Sequence, residues 1–133
     1  MLFILIEMMR GWLMPFPFWI RKVGARGEYL ARREWHRRGY HLVARNWRYK
    51  RGEIDAIMAN RREVVFLEVK TRRFKPDMKI HEQVRFKQKK RLMSLATHWL
   101  KRWRGDVPWR FRVVLVSVKG GKWLLSEADL TLD

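Results

Sequence analysis

The chain is predicted to fold as a single α/β domain, a small mixed sheet flanked by helices. Three observations lead there. Two segments, 23–38 and 81–103, carry apolar residues at the i, i+3, i+4 spacing of a helix. Shorter segments at 40–49, 54–59, 64–73, 109–118 and 123–125 are rich in β-branched and aromatic residues and are separated by turn-favouring ones. With 133 residues and 47% hydrophobic content, the chain can bury one real core and is too apolar for disorder. The order helix, three strands, helix, two strands then gives a layered α/β architecture.

Residues 1–20 are set apart from this core. They are hydrophobic, but Glu7, Arg10, Pro15 and Pro17 interrupt the run, so a membrane-crossing helix is not expected. A signal peptide would start with basic residues and end at a small-residue cleavage site, and neither is present. The stretch reads as an extension outside the fold, with Met8, Met9 and Met14 as alternative starts. A membrane-surface anchor is the alternative reading, and no other membrane contact is expected. Residues 21–133 make the domain.

The first helix places Ala31 and Trp35 on the sheet side, with Glu28 one turn earlier on or beside that face, and Gly39 ends it. Tyr40 to Tyr49 follows as a strand, and Arg45, Arg48, Lys50 and Arg51 form a basic border after it. Ile54 to Ala59 and Val64 to Arg73 form two strands joined by Asn60-Arg61-Arg62, which starts with a turn-favouring Asn. Pro76 breaks a loop before the second helix. That helix opens on Lys87, Gln88, Lys89, Lys90 and Arg91, an unfavourable start for the helix dipole that suggests an anion nearby. Trp109 to Val118 is a strand, Gly120-Gly121 a hairpin turn, and Trp123 to Leu125 a short return. The acids Glu127, Asp129 and Asp133 lie in the tail.

A net charge of +18 favours polyanions, nucleic acid first. No cysteine is present, which excludes disulfides and thiolate metal sites and fits a reducing compartment, with the cytoplasm the expected location. No Gly-rich nucleotide loop occurs.

The chemistry sits in the hairpin. Strand alternation puts Glu68 and Lys70 on one face with Val64 and Phe66, and Val65, Leu67 and Val69 on the other. A Glu and a Lys in so apolar a strand are costly unless paired, and alone they read as a buried ion pair. With a turn near residues 60–62, however, Asp55 falls roughly opposite Glu68. Two carboxylates in one place repel unless a cation joins them, and hard oxygen ligands suit Mg²⁺ or Mn²⁺. Glu28, Asp55, Glu68 and Lys70 thus form a candidate catalytic set, with Asp55 and Glu68 as the metal ligands. Arg45, Arg48, Lys50, Arg51, Arg72, Arg73, Lys87 and Arg91 are the candidate contacts to nucleic-acid phosphates.

Several spaced motifs match together. Gly24-Ala-Arg-Gly27-Glu28, Gly39-Tyr40, Ala44-Arg45-Asn46-Trp47-Arg48, Gly52-Glu53-Ile54-Asp55 and Phe66-Leu67-Glu68-Val69-Lys70-Thr71-Arg72 resemble the small bacterial proteins of the YraN (UPF0102) family. That family is similar in turn to Holliday-junction resolvases and restriction endonucleases of the PD-(D/E)xK superfamily. The resemblance implies a restriction-endonuclease-like core, α-β-β-β-α-β, with Asp55 and Glu68 as metal ligands, Lys70 as the catalytic lysine and Glu28 as the helix acid. It also implies a nuclease that hydrolyses DNA, branched or damaged DNA included, and a homodimer, since a two-fold junction suits a two-fold enzyme. Two positions depart from the pattern: Arg112 stands where the family usually has Asp, and Gln88 where it often has Lys. The competing reading is a nucleic-acid-binding protein that keeps the nuclease fold without cleaving, binding through its charge and its eight Trp residues.

Overall fold

The fold is given by a computed structural model that describes residues 3–6 and 16–132. Its elements are β1 (Phe3–Ile6), α1 (Val23–Arg37), β2 (His41–Tyr49), β3 (Gly52–Ala59), β4 (Val64–Arg73), α2 (Phe86–Trp103), β5 (Trp109–Lys119) and β6 (Lys122–Asp129), with a 3₁₀ turn at Ile80–Gln83. The six strands form one sheet in the order β1-β6-β5-β4-β3-β2. The β4–β5 pair is parallel and every other pair antiparallel, so the sheet is mixed, as expected.

β4 is the spine. Its apolar run is continuous because both faces are covered. Val64 and Phe66 join the cluster under α2, with Leu92, Leu95, Ala96, Trp99 and Leu100. Val65, Leu67 and Val69 join the cluster under α1, with Leu30, Ala31 and Trp35. Phe66 is fully buried, with Trp99 and Trp109 edge-on to its ring at 5.7 and 5.8 Å.

The turn between β3 and β4 follows the sequence expectation. The Asn60 side-chain oxygen accepts from the backbone N–H groups of Arg62 and Glu63, an Asx turn that fixes the hairpin register. Gly120 and Gly121 both have positive φ, 53° and 75°, the pair a tight hairpin turn needs.

Three expectations are corrected. Residues 1–20 are not wholly outside the core: Phe3–Ile6 pairs with β6, and Phe16 is buried, edge-on to Trp123 and under the Arg26 guanidinium. Met8, Met9 and Met14 lie outside the described residues. The second helix begins at Phe86 rather than His81, because Val84 and Arg85 are extended. The last strand runs to Asp129, well past Leu125. Two acids of the longer β6 meet basic side chains. Glu127 is buried, accepting from Trp35 Nε1 at 2.8 Å and Arg38 Nη1 at 2.8 Å, while Arg112 bridges Glu127 and Asp129. Asp133 lies outside the described residues.

β2 is an edge strand. Its pairing with β3 shifts register between Leu42 and Ala44, and Asn46 adopts φ 50°. No helix among the described residues is long and apolar enough to cross a membrane.

Candidate functional site

β3 breaks its own alternation at one residue. Ile57 and Ala59 face α2, and strict alternation would turn Ile54 towards α1, yet Ile54 also packs in the α2 cluster. The switch lies at Asp55. Across from it, between the pairs Arg45↔Ala56 and Trp47↔Ile54, sits Asn46 with its positive φ. Asn tolerates that left-handed conformation better than other residues with a side chain. The β3–β4 ladder ends in the same place, at Ala56↔Leu67. One step further the register would set Asp55 opposite Glu68. There β3 leaves β4, and Val69 N–H donates to the Asp55 carboxylate at 2.7 Å instead of continuing the ladder.

The candidate side chains meet at this split. Glu68 is buried, 6% exposed, and its Oε1 accepts from Lys70 Nζ at 3.2 Å and from Gln88 Nε2 at 3.3 Å. Gln88, which stands where the resemblance has Lys, thus reaches the site from the first turn of α2. Glu28 comes from α1, half-buried. Its place is set by Gly27, where a Cβ would overlap the Thr71 hydroxyl, so only glycine lets α1 approach β4 this closely.

Electrostatics ties the group together. Burial pushes the Asp55 carboxyl up to about 8, helped by Glu68 and then by Glu28 and Glu53, against the Val69 N–H. Burial also raises Glu68, with Lys70 opposing and Glu28 and Glu53 adding to the rise. Glu28 is raised by burial and by Glu53, and is held back by Arg32 and Arg45. Arg32 is lowered, by burial first and then by Arg45. Glu28 and Glu53 therefore add their charge to the buried Asp55 and Glu68, while Lys70 offsets it at Glu68 and Arg32 and Arg45 offset it at Glu28.

The proposed phosphate contacts divide. Lys50, Arg51 and Arg91 line one cleft between the β2–β3 turn and α2, while Arg72 and Arg73 line another at the C-terminal end of β4 with Arg26 and Lys119. Arg48 is paired with Glu53 at 2.9 Å, and Lys87 is exposed on α2. Sequence reasoning passed over Arg32 and Glu53 as site residues. Spacing could have found Arg32, four residues past Glu28 on its helix, whereas Glu53 lies beyond the switch at Asp55, where counting by two fails.

The donor set fits a small hard cation in one respect. Mg²⁺ is commonly held by one or two carboxylates and completed by water and substrate phosphate. Among the described residues no group of three or more acidic or histidine side chains is arranged to enclose an ion alone.

Fold and site together define a small, strongly basic α/β protein with a carboxylate–lysine cluster where its sheet splits. The family model described as "Uncharacterised protein family UPF0102" matches residues 27–116, a span that contains the whole cluster. The chain belongs to the UPF0102 family. A UPF0102 protein of Chloroflexus aurantiacus is 36% identical over 113 residues, 82% of this chain and 88% of the relative. One from Nocardia farcinica is 41% identical over 102 residues, 74% of this chain and 79% of the relative. One from Coxiella burnetii is 34% identical over 99 residues, 73% and 82% of the two.

Proposed function

We propose that this protein is a divalent-metal-dependent nuclease that hydrolyses phosphodiester bonds in DNA. One observation carries the reading: in a chain of net charge +18, Asp55 and Glu68 are buried within reach of each other's charge, and Glu28 and Glu53 add theirs, so that the proton affinity of Glu28, Asp55 and Glu68 is raised. Such a cluster wants a cation, and a DNA backbone would bring phosphate oxygens to share it. Asp55 and Glu68 would hold Mg²⁺ or Mn²⁺. When bound, that ion would polarise the phosphate and lower the pKa of a water. Lys70, 3.2 Å from Glu68, would set its ammonium against the charge developing on phosphorus-bound oxygen. Glu28, its proton affinity raised, would exchange a proton with the attacking water or the leaving oxygen. Exposed Arg45 and Arg51 would hold neighbouring phosphates.

The test is a panel of branched, flapped, single-stranded and blunt DNA incubated with the purified protein and Mg²⁺ or Mn²⁺. Cleavage should require the metal and fall by at least about 100-fold in Glu68→Ala. Undiminished cleavage by that variant would mark a contaminant and overturn the reading.

A second reading, a nucleic-acid-binding protein that does not cleave, is favoured by how well the cluster is satisfied by the chain itself. Glu68 already has Lys70 and Gln88, and Asp55 has the Val69 N–H. It predicts salt-sensitive binding that needs no metal, with no cleavage of any substrate in the panel.

A further inference from the structure

A cleft of about 720 Å³ opens between α2 and the turn that leads into Glu53 and Asp55. Tyr49, Lys50, Arg51 and Gly52 from the β2–β3 turn form one wall, and Arg91 and His98 from α2 the other. Its volume lies within the range of small-ligand sites, roughly 300–1,000 Å³.

Two kinds of chemistry line it. The cations Lys50, Arg51 and Arg91 are exposed. Against them stands an aromatic stack. The Tyr49 ring lies on His98 with centroids 3.9 Å apart and planes 16° from parallel, and Trp47 lies beside the pair, 6.0 Å from Tyr49 and 6.4 Å from His98. Tyr49 is nevertheless 37% exposed, a large ring kept at the surface. A π surface beside Arg and Lys takes up a nucleobase and its phosphate together. A paired base in an intact duplex hides its faces from such a wall. The cleft therefore suits an unpaired nucleotide.

Its position extends the site. Gly52 precedes Glu53, one of the crowded carboxylates. Arg91 follows Gln88, the Glu68 partner, by about one helical turn. A strand whose phosphate lay at the carboxylates would carry its neighbouring nucleotide into the cleft. Gly52 lets the turn sit close on α2, since a Cβ there would overlap Leu95.

We propose that the cleft between the β2–β3 turn and α2 binds an unpaired nucleotide of the DNA substrate, its base stacked on the outer face of the Tyr49–His98 pair and its phosphate held by Arg51 and Arg91. This deepens the nuclease reading and rests on it for the substrate. The protein would select DNA with a splayed or single-stranded segment next to the reacting phosphate.

The test is binding without cleavage. In EDTA, the full-length protein is titrated against a fluorescent duplex that ends blunt and against the same duplex ending in an unpaired fork. Wild type should bind the fork more tightly. Tyr49→Ala should lose about 10-fold on the fork and leave the blunt duplex unchanged, while Tyr49→Phe keeps the preference. His98→Ala, which removes the ring stacked against Tyr49, carries the same expectation as Tyr49→Ala. A 2-aminopurine placed in the unpaired arm should be quenched by wild type and Tyr49→Phe but not by Tyr49→Ala. Equal affinity of wild type for fork and blunt end, or equal losses on both in Tyr49→Ala and His98→Ala, overturns the proposal. Because metal is absent, the outcome is separate from that of the cleavage panel: metal-dependent cleavage without fork preference would sink the cleft alone, and fork preference without cleavage would sink only the nuclease.

Discussion

Above pH 8 the Asp55→Asn variant melts at a higher temperature than the wild-type protein, by about 5–10 °C. The reasoning starts from the crowding at the split between β3 and β4. Asp55 is raised from its ordinary value to about 8 by burial and by Glu68. In the unfolded chain it titrates near 4. Between those values the folded state keeps a proton that the unfolded state releases, so the stability from this group is fully present below about pH 4 and is lost as pH rises through about 8. Asn carries no charge at any of these pH values, and its side-chain oxygen can still accept from Val69 N–H. The gap between variant and wild type should open from pH 4 upward and level off above 8, at roughly 2–4 kcal/mol. Thermal melts across that range check it, and a variant that melts below wild type at pH 9 would show the carboxylates are not in conflict. Mn²⁺ added at high pH should raise the melting temperature of wild type and not of Asp55→Asn, since only the former keeps both proposed ligands, Asp55 and Glu68.

Gly27→Ala destabilises the fold by about 1–3 kcal/mol, although alanine is the better helix former by about 1 kcal/mol. The new methyl would overlap the Thr71 hydroxyl on β4. Thr71 is β-branched, so its oxygen cannot swing aside freely. That oxygen is itself buried without a hydrogen-bond partner, so removing it forfeits no bond within the protein. In a Thr71→Ala background the sign should reverse, with Gly27→Ala becoming neutral or stabilising as its helix propensity shows through. Chemical denaturation of the four proteins gives the double-mutant cycle. Equal cost in both backgrounds would mean that α1 approaches β4 differently. Glu28 follows Gly27 directly, so any displacement of α1 also moves that acid away from the cluster.

What the sequence made legible was whatever depends on local period. β4 announces itself, and the sharing of one face by Glu68 and Lys70 follows from counting by two. The site's assembly needed more. Counting by two also places Ile54 with Ala56, and it fails because β2 and β3 both twist at Asn46 and Asp55. An Asn within a strand was the signal available, since it accepts positive φ. Gln88 was visible only as a departure from a pattern, because its contact with Glu68 spans twenty residues of chain and depends on how α2 crosses the sheet. β6 was cut short because Ser126, Glu127 and Asp129 read as polar tail. They continue the strand because Trp35, Arg38 and Arg112, distant in sequence, supply donors to Glu127. Arg112, the departure from the family's usual Asp, thereby finds acids of its own.

The irregular edge of the sheet has a consequence for how copies of this chain meet. A straight edge strand offers an even row of free N–H and C=O groups, a template on which a second molecule can extend the sheet. β2 spoils that row twice, with the register shift after Leu42 and the left-handed turn at Asn46, and it carries exposed Arg45 and Arg48 between and beyond them. Two such edges brought together would misalign their hydrogen bonds and oppose their charges. Self-association through β2 is therefore disfavoured both as a route to aggregates and as a route to a symmetric pair, and a dimer of this protein would have to be built on a different face.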